Sequence, residues 1–258
     1  VEMAQGVVKP EFRSIGCFHQ ITRYLLDQAK SMGIKGAFGE AVTNHTISQH
    51  TVHGFGFKDC GLRLGVIPPG ILFKGMNGKT HHKMSMLVQF LYLQAPQALK
   101  IYAPDHHKDM IAALYKELGV RAEIKKEAAA KAKKTAAASI VKIRQTASLN
   151  YALVIIDRYG PNIVDELRTK VKALCREKTE TINLFLNLSD PLTGTYAARF
   201  EQLGFFFAGL LPGGFKNGDA LILQYLNNVP IDYNAIQVKS AVAQKLLVYV
   251  QRHDPNLE

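Results

Sequence analysis

Apolar residues recur along the chain with two periods, one typical of helices and the other typical of strands. Phe18, Ile21, Leu25, Ala29 and Met32 fall on one helical face, and Gly33 ends that pattern. Further helices are predicted at 47–53, after Asp105, at 163–174, after Asp190-Pro191 and at 238–250. Strands are predicted at 36–43, 60–67, 84–93, 99–103, 140–146, 151–156, 182–188, 205–211 and 220–226. This alternation predicts an α/β fold with a mixed sheet flanked by helices.

The second half of the chain repeats the first. The pairs Gly56-Phe57 and Gly61-Leu62 match Gly204-Phe205 and Gly209-Leu210 in the same order, and a matching strand follows each set. In both halves the order before these pairs is helix, strand and short helix. We therefore predict two copies of one α/β unit.

Length and composition exclude several classes of protein. The chain has 258 residues, with 47% hydrophobic and 21% charged, which is typical of a globular protein. The longest apolar run, 203–212, is too short to span a membrane, so we expect no membrane association. Cys17, Cys60 and Cys175 lie far apart without a CxxC motif, which favours a reducing, cytoplasmic setting. Because the chain begins with Val1, we expect it to be part of a longer protein.

Positive charge is concentrated in one stretch between the two copies. Residues 121–144 carry eight Lys or Arg and two Glu, a net charge of +6 out of +11 for the chain. The stretch is rich in alanine and lysine, without an apolar stripe or interleaved aromatic residues. This pattern favours a solvated helical linker at 125–138 over an arm that binds nucleic acid or a membrane.

The turn before the first helix has the features of a phosphate-binding site. Backbone amides at a helix start favour negative charge, Gly16 allows a ligand close to the backbone, and Arg13 adds a cation. A pyrophosphate fits such a turn. The alternative is an ordinary helix start with a surface arginine.

The segment PEFRSIGCFHQITRYLLDQAKSMGIKG, followed by a strand and by GFGFKDCG, resembles the GNAT (N-acetyltransferase) superfamily over about residues 5–93. Arg13-x-x-Gly16 matches the family's pyrophosphate motif, although Phe18 replaces its last small residue. The resemblance implies a bound acetyl-CoA or coenzyme A. It assigns that ligand to Val7, Val8, Arg13, Ser14, Ile15, Gly16, Cys17 and Phe18.

A second, weaker resemblance covers about residues 139–228. This copy keeps LGFFFAGLLP and LILQYL, but its helix start, ELRTKVKALC, has no glycine, which predicts that it has lost the cofactor site. The pair of modules is also similar to regions that follow anti-sigma-factor-type kinase domains in bacterial proteins. That similarity implies a fused kinase or ATPase domain as a partner.

The catalytic residues are less clear from the sequence. The family usually has a tyrosine four residues before its Gly-Phe pair, but Val52 and Phe200 occupy those positions here. Candidates to replace it as acid or base are Glu40 on the predicted strand and His45, His50 or His53 just after it, and of these we select Glu40 and His45. The alternative is polar surface around a short helix.

Other polar residues carry no predicted site. The histidines lack a signature such as HExxH, so we predict no metal site. His106 and His107, next to Asp105, are expected to be solvated, and Asn183 and Asn187 are expected to form one polar strand face. Phe205, Phe206 and Phe207 are expected in the core.

Taken together, these patterns predict two tandem GNAT-like modules at 1–124 and 139–258, the first without its opening strands. The expected function is acyl-CoA-dependent transfer of an acetyl group to the amine of a small molecule or protein. The alternative is a non-catalytic sensor or interaction module of a larger bacterial signalling protein, since a fold can be used without its chemistry. Binding of nucleic acid rests only on the basic linker.

Overall fold

The computed structural model describes residues 1–4, 6, 8–12, 15–70, 82–125 and 137–257. Its helices are α1 Cys17–Ser31, α2 Ile47–His53, α3 Lys108–Glu117, α4 Ile163–Arg176, α5 Thr193–Glu201 and α6 Ala241–His253. Its strands are β1 Gly36–Val42, β2 Lys58–Ile67, β3 Met84–Tyr92, β4 Leu99–Ile101, β5 Ala122–Ile124, β6 Ile140–Thr146, β7 Tyr151–Arg158, β8 Thr181–Asn187, β9 Phe206–Phe215 and β10 Gly218–Leu226. Among the described helices, none combines the length and the apolar character needed to cross a bilayer.

Periodicity located most elements correctly, but three helices start later than predicted, among them α6, which begins at Ala241 rather than at 238. Helix α5 begins at Thr193, because Asp190 Oδ1 instead accepts from the Leu192 amide and closes a turn before the helix. Asp105 opens a short 3₁₀ turn, Asp105–His107, and α3 begins only after it. At Asp190 a local turn competes with the longer helix for the polar side chain.

Eight strands form one mixed sheet in the order β1-β3-β2-β9-β10-β8-β7-β6. Neighbouring strands are antiparallel except for β7 and β8, which are parallel. Strands β4 and β5 form a separate parallel pair, with α3 between them in the chain. The predicted α/β class and the large mixed sheet with flanking helices are therefore confirmed.

The strand order contains the predicted repeat. Strands β1, β3 and β2 have the same arrangement as β8, β10 and β9, and helices precede the equivalent strands in both halves. The leading segment also matches, because Glu2 forms a parallel bridge to Phe38 of β1, as β7 runs parallel to β8. Each half is thus a helix, a strand, a short helix and two further strands.

The two halves meet where two equivalent glycines face each other. Gly61 of β2 pairs with Gly209 of β9, and each glycine follows a one-residue β-bulge, at Cys60 and at Ala208. Gly209 has φ 128°, and a Cβ added there would overlap Gly61 Cα and lie 2.6 Å from the Cys60 carbonyl oxygen. Only glycine permits this approach of the two backbones.

One hydrophobic core extends through both halves of the chain. It includes Leu62 and Leu64 of β2 together with Leu184, Leu210 and many other residues of the second half. Helices α3 and α6 both pack on β2 and β9, so the junction is covered on that side. The aromatic run 205–207 is buried, as predicted.

The polar strand face predicted for β8 is absent. Asn183 is fully buried, and its side chain meets a guanidinium from the other half of the chain rather than solvent. Both faces of β8 are covered. The polar residue in the alternating pattern therefore indicates a buried polar contact here, and not a solvated face.

The glycine contact can be tested by substitution. We expect Gly209→Ala to lower the free energy of unfolding by about 3 kcal/mol, because the new methyl group adds overpacking to backbone strain. Gly213→Ala is the matched control: Gly213 has φ 65° but open space around it, so only strain of about 1 kcal/mol is expected. Urea unfolding of both variants measures the difference, and equal losses would contradict a steric role for the contact.

Candidate functional site

The start of α1 is an open helix end. Gly16 is its N-cap residue with φ 85°, no side chain caps it within the described residues, and its first turn holds no acidic residue. A Cβ at Gly16 would meet nothing within 4 Å, and Ile15 beside it is 63% exposed. The first amides of a helix have no intrahelical acceptor and carry partial positive charge. Within the described part of the chain, this end has room for an anion.

The segment just before α4 in the second half is closed by packing at Gly160, two residues before the exposed N-cap residue Asn162. A Cβ at Gly160 would overlap the Ser139 amide nitrogen, and the Gly160 amide donates to Ser139 Oγ at 3.1 Å. Asp165 and Glu166 lie in the first turn of α4, where carboxylates complement the helix dipole. The chain itself thus provides the packing and the negative charge at this end.

Unpartnered polar atoms lie at the carboxyl end of β1. Asn44 Oδ1, Ser48 Oγ and Gln49 Oε1 are buried and make no hydrogen bond in the described part of the chain. Buried polar atoms usually have partners, so a cluster of orphans indicates a missing partner, such as a ligand or water. Asn44 also lines a cavity of about 160 Å³, together with Thr43, Ser85 and residues of the second half.

The open helix end and these orphan atoms lie at the same edge of the sheet. The segment before α1, which bridges to β1 through Glu2, runs parallel to β1. Both therefore end on the same side of the sheet, and from there the chain continues to α1 and to α2. Ligands of open α/β sheets bind at the carboxyl ends of parallel strands. The start of α1 also contacts the end of α2, since the rings of His19 and Phe55 are 4.6 Å apart.

His45 lies between β1 and α2 and has a defined tautomer. Its Nδ1 accepts from the Ile47 amide at 3.2 Å, so in the neutral ring the proton is on Nε2. Burial lowers the pKa of His45 below its usual value, which favours that neutral ring at pH 7. His45 is therefore arranged as a hydrogen-bond donor through Nε2.

Glu40 lies on the other face of β1, in a buried ion pair. Ala37 packs toward α1 and Phe38 toward the main core, and Glu40 shares the face of Phe38 by alternation. The Arg63 guanidinium donates to Glu40 Oε1, and the two side chains are 10% and 16% exposed. Within the described residues, no hydrogen bond joins Glu40 to His45.

Arg63 joins the two halves of the chain through its guanidinium. Its Cζ lies 5.1 Å from the centre of the Tyr151 ring, and Asn183 Oδ1 accepts from its Nη2 at 3.0 Å. Burial lowers the pKa of Arg63, but the Glu40 carboxylate and other neighbours together raise it by more. The net shift of the pKa is therefore upward. The Arg63 guanidinium is thus charged and is held by residues of both halves.

Several of the predicted ligand-binding residues are not described. Val7, Arg13 and Ser14 lie outside the described residues, so their predicted roles stay predictions. Ile15, Gly16 and Cys17 are described and lie at the open end of α1, and Val8 is described in the segment that precedes it. The ring of Phe18 packs against Gly6, where an added Cβ would overlap it, so Phe18 has a packing role in this structure.

The remaining histidines of this region have structural partners. His53 Nε2 lies 2.9 Å from Asp59 Oδ1, and Ser240 at the start of α6 donates to the other oxygen of Asp59. These bonds fix α6 on β2. His50 Nδ1 lies 3.2 Å from Lys239 Nζ at the surface.

The sequence did not single out Arg63, Asn44 or Ser48. Arg63 could have been found, because a charge within the apolar strand Leu62 to Leu64 must be buried and must have a partner. Asn44 and Ser48 gave no such signal, since polar residues around a short helix are ordinary. Their missing partners are visible only in three dimensions.

Comparison with known proteins does not assign a function to this site. No protein-family model matches the sequence, and no curated protein is significantly similar to it. The chemistry of the site therefore has to be inferred from its own residues.

The buried ion pair predicts a selective loss of stability. We expect Glu40→Gln to lower the free energy of unfolding by about 3 kcal/mol, because it leaves the buried Arg63 charge uncompensated. Glu117→Gln is the control, since the ion pair of Glu117 with Lys58 is largely exposed and should contribute less than about 1 kcal/mol. Chemical denaturation measures both, and a small loss in Glu40→Gln would show that the charge is not held by this pair.

Proposed function

We propose that the chain is an acyl-CoA-dependent N-acyltransferase that binds its coenzyme in the first half only. The observation that carries the proposal is the pair of buried, unpartnered atoms, Asn44 Oδ1 and Ser48 Oγ, at the same sheet edge as the open start of α1. A ligand with a charged phosphate end and an amide-rich arm would match both features. Coenzyme A has that chemistry, with a diphosphate and two amide groups.

The phosphate end of such a ligand is supported by the start of α1. Amide groups from Cys17 onward face an open space without acidic neighbours in the first turn, which favours a dianion over a cation. Arg13, predicted from the sequence as the accompanying cation, lies just before this turn. The orphan oxygens of Asn44 and Ser48 would accept from the amide N–H groups of the arm.

The residues of the chain supply two proton-handling groups. Bound acyl-CoA would provide the thioester whose carbonyl carbon is attacked by an amine nitrogen. Neutral His45 would donate a hydrogen bond from Nε2–H to the departing thiolate and keep its proton, at the step where the family uses a tyrosine; the thiolate leaves as the anion or takes the proton that the amine releases. Glu40 Oε2, which has no hydrogen-bond partner within the described residues, is an acceptor for the proton of the amine.

The proposal places the protein in the cytoplasm. Its three cysteines are all free, with Cys60 buried, which is typical of a reducing compartment. Burial raises the pKa of Cys60 well above its usual value, so this thiol stays protonated and unreactive.

A second candidate function is binding without turnover, as a sensor or interaction module of a larger protein. The observation that favours it is the absence of a tyrosine at both equivalent positions: Phe200 is fully buried, and Val52 packs on a small apolar cluster. Neither residue can donate a proton. Under this candidate, the same site would hold coenzyme A, and His45 would only orient it.

A charge placed at Gly16 tests where the coenzyme binds. We expect Gly16→Asp to weaken coenzyme A binding by at least about tenfold, because its carboxylate repels the diphosphate at the helix start. Gly16→Asn has the same size and the same backbone strain without the charge, and it should bind within a few-fold of the unsubstituted protein. Titration calorimetry with coenzyme A measures all three proteins.

The second half provides the control for that experiment. Asn162 is the N-cap residue of α4, so Asn162→Asp places the same charge at the equivalent position of the closed site. Binding should be unchanged in this variant. Equal loss from Gly16→Asp and Gly16→Asn, or loss from Asn162→Asp, would contradict the assignment of the site to the start of α1.

Turnover separates the two candidate functions. Acetyl-CoA is mixed with a lysine-containing peptide, a polyamine and an amino sugar, and the released thiol is measured. We expect amine-dependent thiol release that falls by at least about tenfold in His45→Ala, because the departing sulfur loses its donor. Coenzyme binding without thiol release from any amine of this panel would favour the binding module.

A further inference from the structure

Three segments distant in the sequence bring two histidines and a glutamate together, away from the site described above. His106 and His107 come from the 3₁₀ turn before α3, Glu201 ends α5, and Tyr249 belongs to α6. His106 Nε2 lies 2.6 Å from Glu201 Oε2, and His107 Nε2 lies 2.8 Å from Glu201 Oε1. One ligand atom from each of the three residues lies within 4.8 Å of the others.

The burial of these side chains differs from the sequence-based expectation that both histidines are solvated. The side chain of His107 is only 1% exposed, while that of His106 is 45% exposed. His107 packs against the ring of Phe207 of β9 at 4.8 Å, which anchors it in the main core. The cluster therefore has a fixed inner ligand and an outer ligand that faces solvent.

The Tyr249 hydroxyl contacts both histidines of this cluster. It lies 2.6 Å from His107 Nδ1 and 3.2 Å from the His106 carbonyl oxygen. In the tautomer with the proton on Nδ1, the ring donates to this hydroxyl and its Nε2 lone pair faces Glu201 Oε1. In the other tautomer, Nε2–H donates to Glu201 and the hydroxyl donates to Nδ1.

The first of these tautomers is the one that binds a metal through Nε2, because neutral imidazole offers a metal its ring lone pair. A cation between Nε2 and Glu201 Oε1 would remove the repulsion between that lone pair and the carboxylate. A hydrogen bond from the other ring nitrogen to a fixed partner is typical of histidines that bind metals.

We propose that His106, His107 and Glu201 bind a divalent transition-metal ion, and that this ion is zinc. Two imidazole nitrogens and one carboxylate form a ligand set that zinc uses, with a water in the fourth position. The exposed side of His106 leaves room for that water. Ligand atoms about 2.0 Å from a tetrahedral ion lie roughly 3.3 Å apart, so the contacts of the two histidines with Glu201, at 2.6 and 2.8 Å, would each lengthen by about 0.5–0.7 Å.

Bound zinc would connect the turn before α3 with the end of α5. The histidines belong to the segment between the two repeats, and Glu201 belongs to the second repeat. Tyr249 links the site to α6 through His107. Metal binding should therefore raise the thermal stability of the whole protein, since an ion that binds only the folded state stabilises it.

The test uses the full, untagged chain after removal of metal with a chelator. Zinc chloride is titrated by calorimetry, and cobalt(II) is added separately as an optical probe of tetrahedral coordination. We expect one ion per chain, an upward shift of Tm, and an affinity at least about tenfold weaker in His106→Ala and in Glu201→Gln. His106→Ala changes an exposed side chain, and Glu201→Gln preserves volume, so both variants should fold.

His50→Ala is the matched control, because His50 is an exposed histidine outside the cluster. Zinc affinity should be unchanged in this variant. Absence of zinc binding at millimolar concentration would overturn the proposal and leave a hydrogen-bonded cluster. Unchanged zinc affinity in either His106→Ala or Glu201→Gln, checked for folding by circular dichroism, would overturn the three-ligand assignment.

Discussion

The close backbone approach of Gly61 and Gly209 is the constraint on which the rest of the structure depends. It joins β2 and β9 and so makes one eight-stranded sheet from two sets of strands. The two glycines are equivalent positions of the repeat, as the contacting residues of a symmetric dimer often are. Because the strands meet here, residues of both halves share one core, and Arg63 of β2 can reach Asn183 of β8.

The two repeats differ at the position where their first helix begins. In the first repeat, the start of α1 is open and lies at the same edge as orphan polar atoms; in the second, Ser139 and two acidic residues close the start of α4. Under the proposed function, the second repeat would keep its packing role without a ligand site. The local differences at the two helix starts leave the strand order untouched.

Local patterns in the sequence predicted the elements well, and they predicted tertiary contacts poorly. The helix at 47–53 was located to the residue, and the repeat was visible from paired glycines that the structure then places opposite each other. Asn183 and His107 were expected to be solvated, and both are buried. Their partners, Arg63 and Glu201, are distant in the sequence, so no local period contains that information.

The open and closed helix starts predict how many coenzyme molecules one chain binds. The most direct measurement is the stoichiometry of coenzyme A binding to the intact protein, determined by titration calorimetry with an independently measured active concentration. The account predicts one molecule per chain. Two molecules per chain would contradict the closure of the second repeat, and no binding at millimolar coenzyme A would contradict the site itself.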